Sequence, residues 1–581
     1  MKEFTPDKRI KLIRDSRLLL AAGAVIGALI FIAIYGIKIL NFTYDAWLFG
    51  GDIDLKQHYV GWCHYRTSDW GFPIGMIDSL SAPHDMSVIY TDSIPLFAVI
   101  FKIFEAYLPV HFQYFGLFGI LSFALTGAIS AMLMHRFIDN IYLCMLTVPF
   151  FVASFPIIQR MYYHSALGAH WIILLAFLFY VYDSERTLPE TRIIEWSVLG
   201  FLCVSIHSYY LPMVGMVLLA DVVTRAISFP RNEFSRDKVI RRGSLLESCL
   251  PLVGFCLAAI LNLALLGGFA GNTSPFGEGL GTFGSNMNTF LNPLTYGRIL
   301  PKQPLYYDFQ YEGYAYLGAG ILALSLVADV GIVLGFISRR KNSELLEWDL
   351  DANDCPGGEL KPFLLIITVL GLISFLSATL PLLAWGSAKV VNLPYPKWVI
   401  KFLGIFRSNG RFIWVAMYIL IMAVLILVYR FFRRNTFIAA AVIAAGLVIQ
   451  AIDISGAAAQ KHAYFANEQE FVNIWDAKEL TDIPADKDKV VFLYGDNDIL
   501  IETGMYTYLT GKSQNNYYYA RDIAQDIGAS MSEALSELNS GEASEDTIYV
   551  LKEEDYKASA DFYDELGLKM ALVGGHVFMW K

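Results

Sequence analysis

Apolar residues in this chain gather in runs of about 18 to 25, the length at which a helix crosses the hydrocarbon core of a bilayer. The runs fall at 18–40, 111–135, 141–158, 169–183, 193–207, 209–227, 245–267, 315–337, 363–385, 412–430 and 436–453. This pattern specifies a polytopic α-helical membrane protein with about eleven transmembrane helices. Composition agrees: 55% of the 581 residues are apolar, and 17% are charged against roughly 25% in soluble domains. The first run follows Lys2, Lys8, Arg9, Lys11, Arg14 and Arg17 and lacks a small-residue cleavage site. It therefore reads as an anchor whose basic flank stays in the cytoplasm. The net charge of −10 gives no indication of nucleic acid, and the six cysteines are scattered without a CxxC or a Cys/His cluster.

One further apolar stretch, 93–108, is short and carries Lys102 and Glu105. If it does not cross, Arg136, Arg186, the cluster Arg231–Arg242, Arg339-Arg340-Lys341 and Arg430-Arg433-Arg434 are all cytoplasmic; if it crosses, all are outside. Positive-inside bias selects the first arrangement and makes 93–108 a re-entrant or surface-lying helix. The N-terminus is then cytoplasmic and the C-terminus extracytoplasmic. The expected organisation is a transmembrane domain over 1–454, with outer loops 41–110, 156–170, 268–314 and 386–411, followed by an extracytoplasmic domain over 455–581. Within that second domain, strand-like runs at Val490–Tyr494, Asn516–Ala520, Thr547–Leu551, Lys569–Val573 and Val577–Trp580 alternate with helix-like ones at Ile499–Leu509, Ile523–Leu538 and Glu554–Leu566. This is a small α/β fold without a nucleotide fingerprint, and it reads as a lid or acceptor-recognition module.

The topology gathers the unusual polar residues on the outer side. As a helix, Ile53–Arg66 puts Asp54, His58, Gly61 and Tyr65 on one face. The same residues also read as a helix start with a packed imidazole. Asp54 and Asp92 fit a carboxylate that deprotonates an acceptor or holds a metal. Arg160, Arg407 and Arg411 fit the binding of a donor phosphate, and the N–H groups of Ser408-Asn409-Gly410 add a candidate anion cradle. The competing reading of these arginines is snorkelling to lipid headgroups.

Several motifs occur in a fixed order: Asp54-x-x-Gln57-His58-Tyr59-x-Gly61-Trp62, Trp70-Gly71-Phe72-Pro73-x-Gly75, Thr91-Asp92-Ser93-Ile94-Pro95-Leu96, Tyr163-His164-Ser165-Ala166-Leu167-x-Ala169-His170-Trp171 and Phe406-Arg407-Ser408-x-Gly410-Arg411-Phe412. With them the chain resembles the GT-C superfamily of membrane glycosyltransferases, and more closely an uncharacterised bacterial family placed in it. The resemblance implies a multi-pass bacterial cell-membrane enzyme. It would transfer a sugar, with inversion, from a polyprenyl-phosphate-linked donor to a glycan or glycopolymer acceptor of the cell envelope. It also implies that Asp54, as the first-loop acidic residue, is the base or a ligand of a divalent metal ion. The second outer loop of such enzymes often supplies another acidic residue, whereas 156–171 holds Arg160, His164 and His170 and neither Asp nor Glu. Asp92 would then substitute, or His164 or His170 would assist without a metal. The alternatives from other classes are a transporter or flippase of lipid-linked glycans, for which midplane charges and paired half-helices are lacking, and a non-catalytic envelope-assembly component.

Overall fold

Most of the apolar runs become long helices in the computed structural model, which describes residues 6–182, 189–228, 245–270, 279–340, 360–469, 477–494, 497–519 and 526–581. Helix α1 (Pro6–Tyr35) is followed by the short α2 (Ala46–Phe49), α3 (Ile53–Thr67), a two-stranded ribbon of β1 (Met76–Ile77) and β2 (Met86–Ser87), and α4 (Pro95–Lys102). Then come α5 (Phe115–His135), α6 (Ile141–Val152), α7 (Phe155–Arg160), α8 (Trp171–Tyr182), α9 (Pro189–Ile206), α10 (Tyr210–Ser228), α11 (Leu245–Leu265) and α12 (Ala319–Arg340). After α13 (Leu360–Thr379), a hairpin of β3 (Leu382–Trp385) and β4 (Ala388–Asn392) leads to α14 (Lys397–Leu403), α15 (Ile413–Phe431) and α16 (Thr436–Phe465). The last helix runs on through the composition change near residue 455.

Among the described residues, eight helices are long and apolar enough to cross a membrane: Asp15–Tyr35, Phe115–His135, Ser165–Tyr182, Tyr210–Ile227, Glu247–Leu265, Leu360–Thr379, Asn409–Phe431 and Thr436–Phe465. The runs at 141–158, 193–207 and 315–337 differ for local reasons. Pro149 and a break at Ala153 divide the first into α6 and α7, and α9 carries Glu190, Arg192 and Glu195. The third, α12, keeps only a shorter apolar part, Ala319–Gly335. Helix α4 has eight residues; at 1.5 Å per residue it spans about 12 Å, well short of a hydrocarbon core of about 30 Å. Stretch 93–108 therefore does not cross as a helix. Helices α1 and α5 approach closely because Gly27 faces backbone: a Cβ there would lie 2.1 Å from the Phe123 carbonyl oxygen.

Following the chain through these helices, the segments around 41–110, 161–169, 207–209, 266–270, 279–318 and 380–408 share one end of the bundle, together with the described residues after α16. Arg136, Arg430, Arg433 and Arg434 sit at helix ends on the opposite side. Arg186, the cluster Arg231–Arg242 and Lys341 lie outside the described residues.

The C-terminal domain contains α17 (Lys478–Thr481), α18 (Asn497–Thr510), α19 (Asp526–Asn539), α20 (Glu553–Ala558) and α21 (Ala560–Glu565). Its five-stranded sheet has the order β6-β5-β7-β9-β8, from β5 (Lys489–Phe492), β6 (Ser513–Gln514), β7 (Thr547–Lys552), β8 (Lys569–Val573) and β9 (His576–Trp580). Strand β5 runs parallel to β6 and β7, and β9 runs antiparallel to β7 and β8. Four of the expected strands are present. The fifth, Asn516–Ala520, is not a strand over its described part; Ala520 lies outside the described residues. The ladder ends at Gln514 because the next side chain replaces a backbone partner: Phe492 N–H donates to Asn515 Oδ1 at 2.9 Å.

Candidate active site

Helix α3 begins where Asp52 caps it, its Oδ1 accepting from the Asp54 N–H at 3.1 Å. The cap leaves Asp54 in the first turn with its carboxylate directed into a cavity of ≈ 490 Å³. The next residues on the same face turn away from it. His58 is fully buried with no hydrogen-bond partner on either ring nitrogen among the described residues, and burial holds its pKa well below the ordinary value. Gly61 lies against Thr91, where a Cβ would meet the Thr91 Cβ at 2.4 Å.

That contact fixes the second wall. Asp92 and Ile94 both have positive φ, 50° and 53°. For a β-branched residue such as Ile94 this is a strained conformation. The turn is pinned by Ser93, whose Oγ donates to the His58 carbonyl at 2.7 Å. It delivers Asp92 to the cavity and starts α4 at Pro95. Across from it, the Tyr209 N–H donates to His207 Nδ1 at 3.2 Å, so Nε2 carries the proton, and Nε2 lies 3.6 Å from Asp92 Oδ1.

The third component is Glu312, which the sequence reading does not single out. It is a buried residue of the cavity lining and accepts from Arg160 Nη2 at 2.9 Å and from Arg411 Nε at 2.8 Å. Burial alone would raise its pKa, but the two guanidinium groups outweigh that and hold the carboxylate well below its usual range. His164 stands between the carboxylates, with Nδ1 3.5 Å from Asp54 Oδ2 and Nε2 3.8 Å from Glu312 Oε1. The acidic residue missing from 156–171 thus comes from a loop 152 positions after Arg160.

The C-terminal domain supplies the fourth component. Residues 515–519 lie along α3: Tyr517 Oη donates to the Gln57 carbonyl at 2.9 Å, Gln57 Nε2 to the Tyr518 carbonyl at 2.9 Å, and Tyr519 Oη pairs with Ser81 Oγ at 2.8 Å. Tyr518 Oη donates to Asp54 Oδ1 at 3.3 Å. Burial and the adjacent Asp54 raise the Tyr518 pKa, which keeps the phenol a donor. The module therefore contributes a side chain to the site.

Of the sequence-predicted residues, Asp54, Asp92, His164, Arg407 and Arg411 line this one cavity. Arg407 lies over the Phe283 ring at 5.5 Å, and Arg411 over Tyr209 at 4.4 Å. Arg160, His58 and His170 are not among its lining residues, and His170 packs 4.4 Å from Trp414 with Nδ1 2.8 Å from Tyr418 Oη. The anion cradle expected at Ser408-Asn409-Gly410 is already satisfied by protein: the Ser408 N–H donates to Tyr209 Oη at 3.0 Å and the Gly410 N–H to the Phe283 carbonyl at 3.1 Å. The cationic groups that face the cavity are the two guanidiniums. Ile89, Pro95, Val204, Ile206, Leu211 and Leu263 add apolar lining to the same cavity.

The residues present do not fit a bound metal. Among the described residues no group of three or more His, Cys, Asp or Glu could hold one. The one imidazole set between two carboxylates has Glu312 already neutralised by Arg160 and Arg411, whose charges oppose a cation.

A family model described as "Domain of unknown function (DUF6311)" matches residues 24–455, and one described as "DUF6311 C-terminal domain" matches 479–580. No curated protein matches. Among solved structures the chain is similar to the apo oligosaccharyltransferase of Archaeoglobus fulgidus, with 12% identity, 94% of this chain and 71% of that one covered, and a TM-score of 0.39. It is also similar to ArnT from Cupriavidus metallidurans bound to undecaprenyl phosphate, with 11% identity, 97% of each chain covered, and a TM-score of 0.40. Likeness of that degree carries nothing from those enzymes to this chain.

Proposed function

Taking as premise that the chain belongs to the DUF6311 family, we propose that it is a membrane glycosyltransferase of the GT-C type. It moves a sugar from a polyprenyl-phosphate-linked donor to a glycan or glycopolymer acceptor on the outer face of a bacterial cell membrane. The observation that carries this reading is the cavity at one end of the bundle. Apolar helix ends line it together with three carboxylates (Asp54, Asp92 and Glu312) and two guanidiniums, a match for a ligand that is lipid at one end and phosphate-sugar at the other.

In this reading Arg407 and Arg411 bind the donor phosphate and stabilise it as the leaving group. Asp54 takes the proton from the acceptor hydroxyl as that oxygen attacks the anomeric carbon and the carbon–oxygen bond to phosphate breaks. The electron pair of that bond leaves on the phosphate. Attack from the face opposite the phosphate inverts the anomeric centre. Tyr518 and His164 orient the Asp54 carboxylate, one on each oxygen, and Asp92 with His207 holds sugar hydroxyls on the opposite wall. Arg160 acts through Glu312, which sets the position of Arg411. No step is routed through a metal.

The test is mass spectrometry of envelope glycans from a deletion strain carrying either the wild-type gene or Asp54→Asn. A glycan should lose a sugar in the deletion and regain it only with the wild-type gene. Unchanged glycans in the deletion strain, or full rescue by Asp54→Asn, would refute the reading.

A further inference from the structure

Helix α14 has seven residues and none of them is buried. Five are apolar, and Trp398 and Phe402 are 73% and 65% exposed. The preceding hairpin adds Trp385 and Val390, exposed at 50% and 55%. A helix this short does not sustain itself in water, because its nucleation cost is not recovered. Exposed apolar surface of this kind marks contact with a partner. Both ends of the segment lead into the bundle, from the span ending at Thr379 and into the span beginning at Asn409. Its composition pairs tryptophan with Lys389, Lys397 and Lys401, a combination suited to the headgroup layer, where the indole meets the acyl boundary and the ammonium reaches lipid phosphate.

We propose that residues 385–403 lie in the headgroup layer of the leaflet on the cavity's side, with Trp398 and Phe402 inserted at the acyl boundary. The partner of this surface is the lipid bilayer. The consequence follows from chain order. Helix α14 passes through the turn Gly404–Phe406 straight into Arg407, and Ile405, Phe406 and Arg407 line the cavity. The segment therefore holds the cavity's most exposed cation at the depth of lipid phosphates, where an amphiphile can reach it laterally from the leaflet. The placement itself does not rest on the transferase reading and can be tested apart from it.

The experiment uses the full chain in nanodiscs of phosphatidylethanolamine and phosphatidylglycerol, with and without acyl chains brominated near the headgroup. Emission from Trp398→Phe is subtracted from that of the wild type to isolate the Trp398 component. The double variant Trp398→Phe/Phe402→Trp moves the indole one helical turn and serves as an independent probe. Both components should be blue-shifted, strongly quenched by the brominated lipid and little affected by aqueous iodide. Quenching by iodide with none by brominated lipid would place the segment in water. Quenching by neither would place it against protein. Either result overturns the proposal.

Discussion

Replacing Glu312 by Gln keeps the side-chain size but removes the one negative charge that, among the described residues, contacts both Arg160 and Arg411. All three are buried, with side-chain exposures of 5% for Glu312, 0% for Arg160 and 8% for Arg411. Both guanidiniums donate to the one oxygen Oε2, and an amide oxygen there can still accept from them but carries no charge to neutralise either. Removing one member of a buried ion pair costs about 3–5 kcal/mol, because the partner is left charged in a low-dielectric setting. The loss for Glu312→Gln is expected at the upper end of that range, since two cations are uncovered. Equilibrium unfolding of the purified protein in mixed micelles reads it directly. The double variant Arg160→Met/Glu312→Gln should recover part of the loss, because it leaves one uncompensated charge in place of two. The pH dependence gives a second readout. Because the folded-state pKa of Glu312 lies below its ordinary value, its contribution is fully present above about pH 4.3 and fades as pH falls through the folded value. Glu312→Gln should lack that acid-side slope. An unchanged unfolding midpoint in the single variant would refute the reasoning that Glu312 holds the two arginines together.

Three further outcomes are expected. His64, buried between Ser79 Oγ and the Gly504 carbonyl at 2.7 Å each, has its pKa lowered to about 4 by burial. Docking of the C-terminal domain should therefore weaken as pH falls from about 6.5 to about 4, by about 3 kcal/mol at about 1.4 kcal/mol per pKa unit, and limited proteolysis of wild type against His64→Gln, in which the slope should vanish, measures this. On the proposed function, binding of a polyprenyl phosphate by the full chain in nanodiscs should fall about tenfold or more in Arg407→Ala, on the scale of one charge-assisted contact, and Arg407→Lys should not fully restore it; unchanged affinity in both variants would leave Arg407 a headgroup-facing residue. A topology reporter fused after Lys581 should be active outside the cytoplasm, and activity confined to the cytoplasm would reverse the sidedness taken from the arginine distribution.

What could be read in the sequence was what depends on nearby residues. The long runs gave the helices because length and polarity are local properties, whereas the placement of 93–108 was taken from the Lys/Arg clusters of later loops. Asp54 was legible because cap, helix face and position after an apolar run all lie within a dozen residues. Glu312 was not, because nothing near it marks its partners: Arg160 and Arg411 reach it only once three separate loops converge. The two acidic residues Asp308 and Glu312 among Tyr306, Tyr307, Tyr311 and Tyr314 were the one available signal, and it does not choose between them. His170 shows how far local reading reaches: its sequence neighbours resemble a site motif, while its imidazole packs against Trp414 and Tyr418 of another helix. The tyrosines at 517–519 have strand-like composition, but their hydroxyls find partners on and beside α3, so the segment serves the site and not the sheet.

The most direct test of Asp54 as the base is sugar transfer by purified Asp54→Asn, set beside Asp52→Asn. Asparagine caps a helix about as well as aspartate, so Asp52→Asn should preserve α3 and retain most of the activity. Asp54→Asn keeps the size of the side chain and most of its hydrogen bonds but not its basicity. It should fold, bind a polyprenyl phosphate as the wild type does, and transfer sugar at least about a hundredfold more slowly, within the range of about 10²–10⁴ for loss of a general base. Equal losses in the two variants, or an active Asp54→Asn, would contradict the assignment and move the base to Asp92.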